Sequence, residues 1–229
     1  GYIGEDIDCL YDFIHSGNPD RASYCDETIR DTEMAQGIDR THGDYNDFWA
    51  GRDYLNHLGP MRAATLMAHA FNDWNVMPEH SVRIYQALKE KGLPVQAYFH
   101  QGGHGGEPPL KQMNRWFTRY LHGIQNGVEN EPRAWIVREN DERTNPTSYY
   151  DYPNPAAEAV TLYPHPGAPG HGSLRSTPVS ESVMESLVDN YSFDGESLAR
   201  AEWTQHRLLY LSEPLEEPLH PVSYTHLRA

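Results

Sequence analysis

The chain has 229 residues, enough for one large domain or for a medium domain and part of a second. Its 18 basic and 33 acidic residues give a formal net charge of −15, which argues against a nucleic-acid backbone or an anionic membrane as partner. No run approaches the roughly 18 consecutive apolar residues of a membrane span, and Cys9 and Cys25 are too few for a disulfide framework.

In chain order, residues 5–16 place Ile7, Leu10, Tyr11 and Ile14 at helical offsets, and Gly17 and Pro19 end the stripe. Residues 20–40 carry fewer apolar anchors (Tyr24, Ile29, Met34, Ile38) and predict a half-exposed helix closing near Gly37. Residues 43–49 (GDYNDFW) predict a short helix capped by Asp44, with Phe48 and Trp49 turned inward. Three helical pieces without a strand between them predict an excursion from a sheet.

The pattern then changes. Residues 62–69 form a short apolar run without strict alternation, as in a strand buried on both faces. A turn follows over 70–75, and Pro78 opens a helix to Glu90 with a stripe at Val82, Tyr85 and Leu88. Residues 95–100 predict the next strand, 101–109 a glycine-rich loop, and 110–122 another helix. This βαβα rhythm predicts an α/β fold with a parallel sheet.

Beyond about residue 130 short β-prone runs take over: 134–137, 159–163 and 206–211, with 164–180 expected as a loop. They predict the start of an all-β domain, with the boundary within 125–140. Both ends look non-native. The chain starts at Gly1 rather than Met, and residues 221–229 resemble a translated sequencing-adaptor tail, so an internal fragment is expected.

In a doubly wound sheet, reactive side chains sit just beyond the carboxyl ends of strands. Asp73 follows the strand ending near His69, and His104 follows the strand ending at His100. Asp then His is the order of the later two members of a Ser-Asp-His system in an α/β hydrolase. A serine hydroxyl needs a base to accept its proton; an imidazole can do so near neutral pH, and a carboxylate holds the ring's tautomer and balances its developing charge. Gly102, Gly103, Gly105 and Gly106 let the loop turn sharply around His104. The competing reading is a surface loop with a solvated histidine, and a turn role for Asp73 beside Asn72 and Asn75.

The serine itself is not legible. No G-x-S-x-G occurs, and Ser197 in 195–199 (GESLA) follows both partners in the β-prone part, so the nucleophile is expected upstream of Gly1. Thirteen histidines invite a metal, but there is no HExxH, and His100 with His104 lacks a third ligand. No metal or cofactor is expected. Glu5, Asp6 and Asp8 read as first-turn acids or as a substrate anchor. Tyr45, Trp49 and Trp74, with Phe48, are candidates for lining an apolar pocket, or for core packing.

Together, residues 4–8 (GEDID), 43–49 (GDYNDFW), 72–76 (NDWNV), 101–104 (QGGH) and 114–120 (NRWFTRY) resemble the Xaa-Pro dipeptidyl-peptidases. These are serine peptidases with an α/β-hydrolase core and a C-terminal jelly-roll-like β-sandwich. The resemblance covers roughly residues 1–220 and implies that Asp73 is the triad acid and His104 the triad base. It implies that residues 1–130 are the C-terminal portion of the catalytic domain, with 5–57 part of a helical insertion, and that 131–220 begin the β domain. Residues 208–219 resemble an early strand region of that domain.

The implied activity is release of Xaa-Pro dipeptides from peptide N-termini by acyl transfer, on proline-containing peptide substrates. The fragment alone is expected to be inactive. An esterase or acylase of the same superfamily, or a non-catalytic binding module, remains the alternative. A cytoplasmic location suits the few cysteines, with secretion as the alternative, and a homodimer is compatible with the sequence.

Overall fold

The computed structural model describes residues 23–24, 26–39, 41–73, 75–168, 171–180 and 183–217. The helix expected over 5–16, the acids Glu5, Asp6 and Asp8, both cysteines, Trp74 and the tail 221–229 lie outside the described residues. Two compact units part between Pro155 and Ala156.

In the first unit the helical reading of 20–40 holds over Asp26–Met34, wound as a π-helix, and continues through Ala35–Gly37. The next helix is a single turn, Asp47–Ala50. Its cap is Asn46 rather than Asp44: the Asn46 side chain accepts from the Trp49 amide at 3.2 Å. Asp53 then caps a 3-10 turn, Tyr54–His57, by accepting from the Leu55 amide.

The sheet that follows has the order β1-β2-β3-β4. β1 (Thr65–Ala70) pairs parallel with β2 (Val95–His100), and β2 pairs parallel with β3 (Ala134–Ile136). β4 (Thr147–Tyr149) closes the described sheet antiparallel to β3. Helix α1 (Pro78–Glu90) connects β1 to β2, with Pro78 at its first position, where the missing amide proton costs nothing. Helix α2 (Leu110–Tyr120) follows β2.

Position in the sheet decides burial. β2 is flanked on both sides and is buried at all six residues, whereas β1 is an edge strand among the described residues and is mostly half-buried. The expectation of burial on both faces, made for 62–69, therefore does not hold there; the strand buried throughout is β2. Side chains of β2 alternate between the two faces. Val95, Ala97 and Phe99 meet Val82, Tyr85 and Leu88 of α1, with Ala134 and Tyr152 in the same cluster. On the opposite face Gln96 accepts from Gln112 of α2, whose Trp116 is buried. Each fully buried Phe99 or Leu88 contributes roughly 1.5–3 kcal/mol of apolar burial.

The sequence assigned 134–137 to the opening of the β domain. In the structure β3 hydrogen-bonds to β2 in parallel, and β4 adds a further strand to the same sheet. The reason is the outer edge of β2: its amides and carbonyls are buried and need partners, and β3 supplies them.

The second unit holds a three-stranded sheet of order β5-β6-β7. β5 (Tyr163–Ala168) pairs antiparallel with β6 (His171–Arg175), and β6 pairs parallel with β7 (Tyr210–Leu211). Residues 164–180, with neither period nor bulk, are expected from the sequence as a loop. Part of that segment pairs all the same, as β5 and β6: β5 is an edge strand among the described residues, and its register breaks between His165 and Ala168, where a ladder amide is not required. The strand expected over 206–211 shortens to β7. Helix α3 (Gly195–Arg200) is capped by Asp194, which accepts from the Ser197 amide at 2.7 Å. Buried Arg207 donates to the carbonyls of Leu198, Ala199 and Ala201 at the end of that helix.

Candidate active site

Parallel pairing puts the exits of β1 and β2 side by side: Ala70 stands opposite His100 in the register. The two following loops are then fastened together. The Phe71 amide donates to the His100 carbonyl at 2.7 Å, and the Asn72 side chain donates to the Gln101 carbonyl at 2.7 Å. Asp73 is three residues past one strand and His104 four past the other, so their side chains converge.

His104 Nδ1 lies 3.0 Å from Oδ2 and 3.2 Å from Oδ1 of Asp73. The carboxylate can only accept, so Nδ1 carries the donating hydrogen, and in the neutral ring Nε2 keeps its lone pair. The Asp73 side chain is 4% exposed and that of His104 52% exposed. A buried acid thus holds an imidazole whose other nitrogen is left for a reacting partner.

Asp73 is itself fixed by local turn chemistry. Its Oδ1 accepts from the amides of Asn75 and Val76, each at 2.9 Å, an Asx-type turn. Burial works against ionisation, but the Val76 amide, His104 and the Asn75 amide together outweigh it and hold the carboxyl down at about 2. The turn role and the contact with His104, alternatives in the sequence, coexist in one residue.

His104 is presented by a loop shaped around a second, buried histidine. His100 Nδ1 accepts from the Gly102 amide at 3.0 Å, and burial followed by the nearby Arg143 cation keeps its pKa below the ordinary histidine value. Gly106 has φ +112°, and a Cβ there would stand 2.5 Å from His100 Nε2 and 2.6 Å from an Arg143 guanidinium nitrogen. Only glycine fits.

A cavity of about 330 Å³ opens between residues 68–70, Asp73, Val76 and the turn 104–106. Tyr45 and Trp49 do not line it. The Tyr45 hydroxyl donates to Asp53 at 3.1 Å and accepts from Asn56 at 3.0 Å, and the ring is 63% exposed. Trp49 stacks edge-on against Phe48 and donates to the Ile38 carbonyl. Both are held by their own helical segment. Ser197 is a helix residue of the second unit whose amide is taken by the cap. Among the described residues no group of three or more His, Cys, Asp or Glu side chains is placed to hold a metal ion, and no helix is long and apolar enough to cross a membrane.

Sequence reasoning missed His69 and Ser81. The ring of His69 stands 3.2 Å from Asp73 Oδ2 and 2.5 Å from Ser81 Oγ. The available signal was an imidazole inside the otherwise apolar run TLMAHA.

A mainly parallel α/β sheet with an acid and an imidazole in contact at adjacent strand exits, and a separate β-sheet unit later in the chain, make this an α/β protein with a C-terminal β region. Two sequence profiles narrow it: X-Pro dipeptidyl-peptidase (S15 family) matches residues 1–106, and X-Pro dipeptidyl-peptidase C-terminal non-catalytic domain matches residues 126–222. The chain belongs to the X-Pro dipeptidyl-peptidase (S15) family.

A Rhodopirellula baltica protein provisionally named a Xaa-Pro dipeptidyl-peptidase is 59% identical over 221 residues, covering 96% of this chain and 35% of that protein. The Xaa-Pro dipeptidyl-peptidase of Lacticaseibacillus rhamnosus is 33% identical over 135 residues, covering 56% of this chain and 17% of its own length. A solved CocE/NonD family hydrolase from Staphylococcus aureus shares 18% identity at a TM-score of 0.46, covering 61% of this chain and 25% of that one, too distant to bear on the chemistry. The chain spans about a third or less of the length of the curated relatives it matches. The C-terminal profile begins at 126, although β3 and β4 hydrogen-bond into the first sheet.

Proposed function

We propose that this chain is the acid-and-base-bearing portion of a serine-type Xaa-Pro dipeptidyl-peptidase, with Asp73 as the triad acid and His104 as the general base. The observation that carries the reading is the 3.0 Å contact between His104 Nδ1 and Asp73 at neighbouring strand exits, inside the segment that matches the S15 profile. The first unit then corresponds to the trailing part of an α/β-hydrolase core. The second corresponds to the opening of a jelly-roll-like β-sandwich.

The chemistry follows from the tautomer. A serine from the part of the full protein outside these 229 residues gives its proton to His104 Nε2 as its oxygen attacks the carbonyl carbon after the substrate proline. The tetrahedral oxyanion collapses, the C–N bond breaks, and Nε2–H protonates the leaving amine. Water, activated by the same nitrogen, then attacks the acyl-serine and releases the dipeptide. Asp73 stays ionised throughout and balances the imidazolium formed in each half-reaction. The substrate is a peptide with proline second from its free amino terminus.

The test uses the complete protein expressed from its full gene. Hydrolysis of a Gly-Pro chromogenic amide is compared with that of a simple acyl ester, for wild type and His104→Ala. Preferential amide cleavage, lost in the variant, is the expected result. Ester cleavage alone, also lost, would keep the pair and move the function to an esterase or acylase. Activity indifferent to His104 would end the catalytic assignment.

A further inference from the structure

β1 carries an imidazole, His69, whose side chain is 8% exposed and which the chemistry above does not use. Its Nε2 lies 2.8 Å from the Val76 carbonyl oxygen and 3.2 Å from Asp73 Oδ2. Both neighbours only accept, so Nε2 carries a hydrogen. In the neutral ring Nδ1 is then the acceptor, and its neighbour is the Ser81 hydroxyl at 2.5 Å, which can donate. Ser81, near the start of α1, is buried.

We propose that His69, with its tautomer set by Ser81, is the positioning residue for the Asp73 carboxylate. It acts from two directions. Its N–H stands against the Asp73 oxygen nearer to His104, and it holds the carbonyl of Val76, the residue whose own amide donates to the other Asp73 oxygen. Asp73 and Val76 are thereby tied to β1, and through the His69 ring to Ser81 of α1. A carboxylate so fenced has one orientation, which is what a base-orienting acid requires. Ser81, His69 and Asp73 are also a serine, a histidine and an acid in a row, but Ser81 is closed off from substrate and its oxygen serves the ring.

This inference rests on the reading of Asp73 as the triad acid, and the experiment separates the two. In the full-length protein, kcat and KM on a Gly-Pro amide are measured for His69→Leu, His69→Gln, Ser81→Ala, the double variant His69→Leu/Ser81→Ala and Asp73→Asn, at a temperature well below each melting point. His69→Leu should lower kcat roughly 10- to 100-fold with little change in KM, because a misaimed carboxylate affects the reacting state and not substrate binding. His69→Gln, which restores an N–H toward Val76 and Asp73, should recover much of the loss. Ser81→Ala should lose less than His69→Leu, and the double variant no more than His69→Leu alone, since the hydroxyl acts only through the ring.

A His69→Leu protein that melts lower but keeps its kcat would reduce His69 to a structural residue. Additive losses would remove Ser81 from the arrangement. If His69→Leu does not fold, Ser81→Ala carries the test: an unchanged kcat overturns the proposal. Full activity in Asp73→Asn would overturn the parent reading. Inactive Asp73→Asn beside fully active His69→Leu would overturn this inference alone.

Discussion

The Tyr85 hydroxyl donates to Asp151 Oδ1 at 2.6 Å across 66 residues of sequence. The second oxygen of Asp151 takes Lys89 Nζ at 2.9 Å, and the Tyr152 amide donates back to Oδ1 at 2.8 Å. One carboxylate therefore fastens the chain beyond β4 to α1, beside the core that contains Tyr152. That clasp, together with β3 and β4, explains why the first unit extends to Pro155.

Removing the clasp should cost stability without touching the chemistry. Asp151→Ala strands a buried tyrosine hydroxyl and an ammonium together, and about 1–3 kcal/mol is expected. Tyr85→Phe leaves Asp151 its other two donors and should cost about 1 kcal/mol. Urea unfolding of the full-length protein reads both. Equal costs for the two variants would contradict this account.

Asp73 should leave a mark on acid stability. Its folded pKa is lowered from the ordinary 3.8 to about 2. A lowered acid pKa stabilises the fold above the unfolded value, and the contribution disappears as pH falls from about 4 to about 2. Asp73→Asn should flatten the stability-versus-pH curve in that window. Because Asp73 stays ionised above that window, a fall in peptidase activity above pH about 4 belongs to another group, and the acid limb should not track Asp73.

The loop presenting His104 offers a contrast within a few residues. Gly106→Ala adds a Cβ against His100 and Arg143 at φ +112° and should destabilise the protein by roughly 1–3 kcal/mol while lowering kcat. Gly103→Ala meets nothing within 4 Å and needs no positive φ, so its stability should stay near wild type. Thermal melts and amide hydrolysis in the full-length protein check both. A tolerated Gly106→Ala would mean that the loop is not shaped around His100.

The aromatic residues suggested for a pocket should separate from the catalytic pair. His104→Ala is expected to lose on the order of a thousandfold in kcat/KM on a Gly-Pro amide. Tyr45→Phe removes only hydroxyl contacts with Asp53 and Asn56 and should leave KM within about twofold. A large KM effect from Tyr45 would bring that segment back to the substrate.

Much of the first unit was legible because its signals are local. Pro78 followed by Val82, Tyr85 and Leu88 states a helix and its buried face, and 95–100 is apolar enough to be a central strand wherever it pairs. The convergence of Asp73 and His104 was legible too, since consecutive parallel strands deliver their exits to one edge. That Trp49 and Tyr45 stay with their own segment was not legible, because aromatic residues read alike whether they line a cavity or pack locally.

By itself the sequence determined the βαβα order, the acid-then-imidazole order at two strand exits, and a glycine loop able to turn. Only the tertiary structure decided that β3 belongs beside β2, that two prolines can sit in an edge strand, and that His69 and Ser81 stand behind Asp73. Those depend on which buried hydrogen-bonding groups meet across distant segments. Unlike helical periodicity, such partnership leaves no mark in the spacing of residues along one strand.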